Sequence, residues 1–317
     1  MIRALRLLSQ QMLGINRRNQ ELLARYNPRS LFPLVDHKVK TKEALSAIGA
    51  PVANTLAVYR SPYDLRRFAD ESRAWPEFVV KPAQGAGGEG IVVVTERRDR
   101  WFMTSNGQRV AARQLESHLS DILGGVYSLN QRYDEVLIEQ RLHGHPALAR
   151  LSFRGLPDIR ILVFCGVPLL AMVRLATQAS KGRANLHVGG IGVGIDLLRG
   201  KTTAAVLGKR WIEVHPDTDR PLLDIQIPRW DEVLLTAARC ADAVAIGYLG
   251  VDLVLDADRG PVVLELNARP GLSIQLANRH GLRPLLARVE QYVSPALSAR
   301  DRVELGQRIF VESRSQE

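Results

Sequence analysis

The sequence predicts an α+β fold with more than one lobe. Three observations carry this. At 317 residues the chain exceeds the roughly 250–300 residues at which a single core stops growing. Two stretches, Asp158–Arg174 and Gly250–Gly271, read as β-hairpins and so as antiparallel pairs. Other stretches, such as Asp231–Ile246, carry apolar residues at helical spacing.

Residues 1–26 predict one or two helices. Ile2, Leu5, Leu8, Met12 and Ile15 repeat at helical spacing, Arg3, Arg6, Arg17, Arg18 and Arg25 flank them, and Gly14 marks a break. Such a helix packs on the body, the preferred reading, or lies as a basic amphipathic surface on a membrane or partner protein. Asn27–Asp36, with Pro28 and Pro33, reads as a loop. Thr41 can cap a short helix that Gly49 ends, and a strand follows near Ala53–Tyr59. Ser61 caps the next helix, with Asp64 completing an approximate capping box.

Glu77–Thr95 reads E-F-V-V-K-P-A-Q-G-A-G-G-E-G-I-V-V-V-T. Gly85, Gly87 and Gly90 satisfy G-x-G-x-x-G, but a dinucleotide fingerprint needs a helix next, and Ile91–Val94 is β-branched throughout. The unit is therefore strand, glycine loop, strand, without the Gly-Lys-Ser/Thr ending of a P-loop. A loop containing Gly85, Gly87, Gly88 and Gly90 can lay its amide N–H groups over phosphates. Lys81, at the end of the incoming strand, can reach them as a point charge.

Residues 101–135 are polar with a helical middle, Ala111–Leu123. V-L-I-E-Q is a short strand ending in Glu139 and Gln140, before an irregular loop. In Asp158–Arg174, pairing Leu162 with Ala171 or nearby puts Arg160 and Arg174 at one end of the sheet. Buried guanidiniums need an anion. That anion is a structural carboxylate such as Asp158 or, preferred for at least one of them, phosphate. Asn185–Asp196, N-L-H-V-G-G-I-G-V-G-I-D, reads as a mobile or closely approached loop entering a strand, and Trp211–Trp230 as a surface excursion. Asp231–Ile246 has acid in its first turn, as helices favour.

In Gly250–Gly271, Val251–Leu255 and Val262–Leu266 alternate around turn residues Asp256, Asp258, Gly260 and Pro261. A turn centred between Asp258 and Arg259 sets Asp252 opposite Glu265, and period two puts Asn267 on the face of Glu265. Two carboxylates about 5 Å apart repel, unless an oxygen-seeking divalent cation joins them. The alternative leaves Asp252 as a strand start and Glu265 in solvent. A helix is expected from about Ser273, and helical pieces with a polar end from Tyr292.

The formal charge of +10 permits nucleic acid, an anionic membrane surface or an anionic small molecule as partner. Aromatics are few, and there is no zinc-finger, helix-turn-helix or RNA-recognition signature, so nucleic acid is not expected. No apolar run approaches the roughly 20 residues a bilayer needs, and the N-terminus does not read as a secretory signal. Cys165 and Cys240 sit in apolar segments as free thiols. A cytoplasmic setting is expected from this.

In this order the motifs resemble the ATP-grasp superfamily, over roughly residues 36–290. The chain is similar to the ribosomal-modification-type α-L-glutamate ligases through V-V-K-P-A-Q-G-A-G-G-E-G-I, L-P-D-I-R-I-L-V, M-V-R-L-A-T, N-L-H-V-G-G-I-G-V-G-I-D and L-E-L-N-A-R-P-G. It also resembles ATP-grasp domains described as sugar-transfer associated, through G-H-P-A-L, H-P-D-T-D and I-P-R-W-D-E. The resemblance implies an ATP-grasp fold, two lobes with antiparallel sheets gripping ATP. Residues 1–35 would be a helical segment in place of the larger N-terminal domain usual in the family. Residues 36–140 would form the small lobe, 141–295 the large lobe and 296–317 a tail.

By position it implies the following roles. Lys38 and Lys81 contact the ATP phosphates, Lys40 and Lys42 competing with Lys38. Gly85–Gly90 forms the lid. Glu139, Gln140 and Leu142 form the hinge at adenine, with Arg160, Asn185 and His187 as further nucleotide contacts. The hinge lacks an acid for the ribose; His143 or His145 stands there. Asp252, Glu265 and Asn267 hold one or two Mg2+ ions, for which Mn2+ can substitute. Arg174 and Asn267 stabilise the transferring phosphoryl group, and Arg269 holds the acyl phosphate or a substrate carboxylate. The implied activity is ATP-dependent carboxylate–amine ligation through an acyl phosphate, on glutamate or another amino acid or peptide. A phosphotransferase on the same fold, or a non-catalytic ATP-binding module docking to a membrane system or partner, is the alternative. Whether the chain forms a homo-oligomer is left open.

Overall fold

The structure is a computed structural model that describes residues 10–85, 87–128 and 132–314. Ile2, Arg3, Leu5, Arg6 and Leu8 of the expected first helix, and Ala86 of the glycine loop, lie outside these residues. Gly14 breaks the N-terminal segment as expected. Residues 15–26 then form one helical run, α1, whose middle, Arg18–Leu23, is π-helical.

The chain folds into two compact units. The smaller comprises His37–Lys42 and Ala53–Leu142; the larger takes the described residues up to Asp36, Glu43–Val52 and those from His143 on. Helix α2, Lys38–Ala47, starts ahead of Thr41. Thr41 is therefore not its cap: its hydroxyl donates to the His37 carbonyl at 3.1 Å, from inside the helix. Ser61 does cap, accepting from Asp64 N at 3.2 Å, while Asp64 accepts from Arg60 N at 2.9 Å.

The smaller unit holds a six-stranded antiparallel sheet of β1 Thr55–Tyr59, β2 Phe78–Pro82, β3 Val92–Arg97, β4 Trp101–Thr104, β5 Arg109–Ala111 and β6 Val136–Glu139, in the order β1-β6-β2-β3-β4-β5. Helix α3, Ala112–Leu123, buries Leu115, Leu119, Ile122 and Leu123, one stripe at helical spacing. The core beneath is aromatic: Phe68 and Phe78 meet edge-on at 6.1 Å, Phe78 and Phe102 at 5.7 Å.

The larger unit holds β7 Asp158–Phe164, β8 Val167–Leu175, β9 Ile191–Ile195, β10 Thr202–Leu207, β11 Arg210–Ile212, β12 Tyr248–Asp256 and β13 Gly260–Asn267, in the order β11-β10-β9-β8-β7-β12-β13. Every residue of β7, β9 and β12 is buried. Covered on both faces, such strands are apolar almost throughout, and the charges set into them stand out. Helices α4 Trp230–Val244, α5 Ser273–Asn278, α6 Leu282–Tyr292 and α7 Ala299–Arg314 complete the unit. The glycines of β9 permit close approach: a Cβ on Gly194 would meet the backbone of Ala277 in α5. Among the described residues no helix is long and apolar enough to cross a membrane.

The stretch 296–317, assigned as a tail, contains the sixteen-residue helix α7, in line with the helical pieces expected from Tyr292. It buries Leu305, Gly306, Ile309 and Phe310, and Gly306 lies on the Pro168 carbonyl with no room for a Cβ. Residues 315–317 lie outside the described residues. The segment Asn27–Asp36, read as a loop, instead contains two short helical turns, Arg29–Leu31 and Phe32–Val35, and is pinned at its start. Buried Asn27 donates to the carbonyls of Tyr248 (2.8 Å) and Ala268 (2.7 Å) and accepts from Tyr248 N (2.8 Å). It thus ties the N-terminal segment to the start of β12 and to the residue that follows β13. Asn27→Ala is expected to lower the unfolding free energy by roughly 2–4 kcal/mol, since the Tyr248 amide loses its buried partner. Urea titration measures this, and a change under about 0.5 kcal/mol, the size of an ordinary surface substitution, contradicts it.

Candidate functional site

In the larger unit the site is built across four neighbouring strands, from the start of β7, the end of β8, the middle of β12 and the last residues of β13. Asp158 pairs with Arg174, Ile161 with Ala171 and Leu162 with Leu170, one residue from the expected register. Across the other side of β7, Arg160 pairs with Asp252, and Asp252 in turn lies opposite Glu265. The hairpin places that last pair by a different route from the expected one. Asp256 pairs with Gly260, centring the turn on Asp258, and a bulge at Leu264 then shifts the register by one residue.

Both arginines face carboxylates. Arg160 binds Asp252 bidentately, its Nη2 donating to Oδ2 at 2.5 Å and its Nε to Oδ1. Arg174 donates to Asp158 through Nε (2.5 Å) and Nη2 (2.8 Å), and to Asp252 Oδ2 at 2.7 Å. The structural-carboxylate alternative thus holds for both arginines: charges in a buried sheet pair with what the neighbouring strand supplies. Each guanidinium still keeps one terminal nitrogen outside these bonds. Asn267 Nδ2 donates to Glu265 Oε1 at 3.0 Å and reaches Asp252 Oδ2 at 3.4 Å. Two guanidiniums face three carboxylates, Asp158, Asp252 and Glu265, leaving one negative charge over.

The electrostatics sort these carboxyls. Burial raises the pKa of Asp252, but Arg160 and Arg174 outweigh it and hold the group below the usual carboxylate range. Asp158 shares only Arg174 and faces the charge of Asp252; burial dominates and pushes it up to about 6. Burial alone would lower the pKa of Arg174, but Asp158 and Asp252 reverse this, so it stays charged. Among the described residues no three His, Cys, Asp or Glu side chains gather as a metal site. Two carboxylates and an amide nonetheless fit magnesium, which takes one or two protein carboxylates and fills its octahedron from phosphates and water. Ligation through the Asn267 oxygen requires the amide to turn over from its present orientation.

In the smaller unit the cations gather around Glu139. Its buried carboxylate accepts from Lys42 Nζ at 2.6 Å and pairs with Lys81. Burial raises its pKa, yet Lys81 and Lys42 together hold it below the ordinary range. Lys38 Nζ donates to the Gly85 carbonyl at 2.6 Å, at the root of the glycine loop. Lys38 and Lys42 are one turn apart on one face of α2, whereas Lys40 is exposed. Gly87, Gly88 and Gly90 all have positive φ, and Gly87 and Gly88 are exposed.

Other expected residues stand apart from these clusters. Glu139 serves here as a counter-ion, so its side chain is not free for a base; Gln140 N donates to Asn54 O at 2.9 Å, and Leu142 is buried. Asn185 caps its own turn, accepting from His187 N at 3.0 Å; the exposed His187 lies over Gly271. Arg269 is half-exposed, bonded to Asp36 at 2.8 Å and stacked on Phe32 at 4.8 Å. Lys42 was a competitor only, and Asp158 a structural partner only, yet both are integral to their clusters. Their signal was present in part: Lys42 sits four residues from Lys38, and Asp158 two from Arg160.

The sequence matches the family described as sugar-transfer associated ATP-grasp over residues 17–291. Among solved structures, the fold is similar to the ATP-grasp ligase PsnB complexed with a minimal precursor, at 19% identity and TM-score 0.47, covering 84% of this chain and 63% of that one. It is similar to the D-cycloserine synthetase DcsG at 17% identity and TM-score 0.44, covering 89% and 73%. For D-alanine–D-alanine ligase from Bacillus anthracis complexed with ATP the values are 16%, 0.42, 90% and 68%. The chain spans less than two thirds of the length of PsnB. No curated protein matches the sequence.

Proposed function

The chain belongs to the sugar-transfer associated ATP-grasp family, and from that premise we propose an ATP-dependent ligase that joins a carboxylate to an amine, with an amino acid or peptide such as glutamate as donor. The observation that carries the reading is the buried Asp158–Arg174–Asp252–Arg160 cluster beside Glu265 and Asn267. Phosphoryl transfer needs little beyond positioning and charge neutralisation, and these are the residue types that supply both.

Asp252, Glu265 and Asn267 would hold magnesium, as one or two ions, with manganese able to replace it. When bound, the ion neutralises phosphate charge and orients the leaving oxygen. Asp158 and Asp252 fix the plane of Arg174, whose remaining nitrogen is offered to the transferring phosphoryl group. Arg160 is held by Asp252 alone, through two hydrogen bonds. Lys38 and Lys81 are the cations that the smaller unit offers to the phosphates, with the glycine loop as lid. A donor carboxylate oxygen attacks the γ-phosphorus, the bond to the β-phosphate oxygen breaks and ADP leaves. The amine nitrogen then attacks the acyl carbon, expels phosphate and gives up a proton. Water must be kept out, because the acyl phosphate hydrolyses. Arg269, fixed by Asp36 and Phe32, is the group proposed for the substrate carboxylate.

The test is a screen of amino acids and peptides for stimulated ADP release, with mass spectrometry of the products. The expected result is ADP and phosphate in step with a new amide, only when donor and amine are both present. A stable phosphorylated product would make the chain a phosphotransferase. ATP binding with no turnover under any pair would make it a non-catalytic module.

A further inference from the structure

One residue pair outside the set assigned above holds both stems of the glycine loop. At the incoming stem, Gly85 forms an isolated antiparallel bridge with Ser128, and a Cβ on Gly85 would lie 3.4 Å from the Tyr127 carbonyl. At the outgoing stem, Gly90 has φ +72°, and a Cβ there would lie 2.7 Å from the Tyr127 ring. Tyr127 therefore stands between the two stems, its backbone against one and its ring against the other.

The Gly90 carbonyl is also bonded from helix α3. His118 Nε2 lies 2.8 Å from it, and Tyr127 Oη lies 3.2 Å from His118 Nδ1. A carbonyl only accepts, so Nε2 carries the hydrogen. Nδ1 of the neutral ring then accepts from the Tyr127 hydroxyl. The two rings are 5.1 Å apart and tilted by 52°. His118 rides on a helix that Leu115, Leu119 and Ile122 fix to the core. The chain of contacts thus runs from the packed core to Gly90, while Gly87, Gly88 and Glu89 at the tip stay exposed.

We propose that His118 and Tyr127 are positioning residues for the glycine loop, holding its stems so that its amide groups are set for the phosphates of a nucleoside triphosphate. This rests on the proposed phosphate-binding role of that loop. Neither residue touches the nucleotide; both act through Gly90. Both are half-buried and lie at the margin of the core. Freeing the Gly90 carbonyl into solvent costs little stability but loosens the loop, and binding must then order it.

The experiment is titration calorimetry on the full chain with MgATP and with AMP, alongside thermal unfolding. His118→Phe keeps a ring and removes the donor. Loss of one such bond is expected to weaken MgATP binding roughly five- to tenfold, with AMP affinity and melting temperature nearly unchanged. His118→Gln places an amide nitrogen near the position of Nε2 and is expected to restore most of the affinity. Tyr127→Phe is expected to fall between. Wild-type MgATP affinity in His118→Phe overturns the proposal. So does equal weakening of AMP, or a Gln variant no better than Phe. Wild-type protein that binds no MgATP removes the phosphate-binding reading itself, and the proposal with it.

Discussion

Asp252→Asn is expected to abolish ATP turnover and to weaken the fold at the same time. The carboxylate is 1% exposed and accepts from Arg160 twice and from Arg174 once. Asparagine is nearly the same shape but carries no charge, so Arg160 loses its counter-ion inside the sheet. Removing one partner of a buried ion pair costs about 3–5 kcal/mol. The chemical loss is separate: a magnesium site with one carboxylate fewer, beside a displaced Arg174, is expected to lose at least about a hundredfold in turnover. Glu265→Gln separates the two effects. Glu265 has no guanidinium partner among the described residues, its one hydrogen bond coming from the Asn267 amide. Its neutral variant is therefore expected to lose turnover with little change in urea midpoint. Full turnover in a folded Glu265→Gln protein would remove the metal assignment.

Glu139→Gln is the second large effect, and it falls on the smaller unit. Two lysines converge on that carboxylate, which is 4% exposed. A neutral amide leaves both ammonium groups facing each other without a balancing charge. The expected loss is again roughly 3–5 kcal/mol at neutral pH, together with weaker MgATP binding as Lys81 is displaced. The pH dependence follows from the lowered pKa of Glu139. A depressed carboxylate contributes stability above its unfolded value, near 4.3, and loses it as pH falls through the folded value. The glutamine variant lacks that contribution at every pH. The stability gap between the two proteins should therefore be widest above about pH 5 and close in acid. Urea unfolding at pH 7 and pH 3.5 measures it; a gap that widens in acid would show that Glu139 is not the counter-ion.

Much of the architecture was legible because its signals are local. The Ser61–Asp64 cap, the helical stripe of α3 and the glycine loop between two strands each depend on neighbours within a turn or two. The convergence of Asp252, Glu265 and Asn267 was expected, but from a turn centred elsewhere; the bulge at Leu264 is what restores that pairing. Counter-ions were harder. The pairing of Arg160 with Asp252 joins strands that lie 92 residues apart in sequence, and only the order of strands in the sheet brings them together. Lys42 was legible as a lysine near Lys38 but not as a partner of Glu139, because that contact requires helix α2 to lie against a strand 97 residues on in the sequence. The C-terminal helix was legible only as helical pieces. Its charges outnumber its apolar residues, and its approach to Pro168 is made by Gly306, which has no side chain to announce it.

The bulge at Leu264 separates two design decisions that a plain hairpin would lock together. Without it, the pairing set by Asp256 and Gly260 would run on to place Leu264 opposite Asp252, and Glu265 and Asn267 would point to the other face of the sheet. The phase of the face that carries Glu265 and Asn267 is thus set beside that face and not at the turn. A different three-residue turn can replace Ala257–Arg259 without moving the carboxylates. Deleting Leu264 removes the bulge and still sets Glu265 opposite Asp252 and Asn267 opposite Gly250, whereas drawing Leu264 into the regular pairing inverts their face.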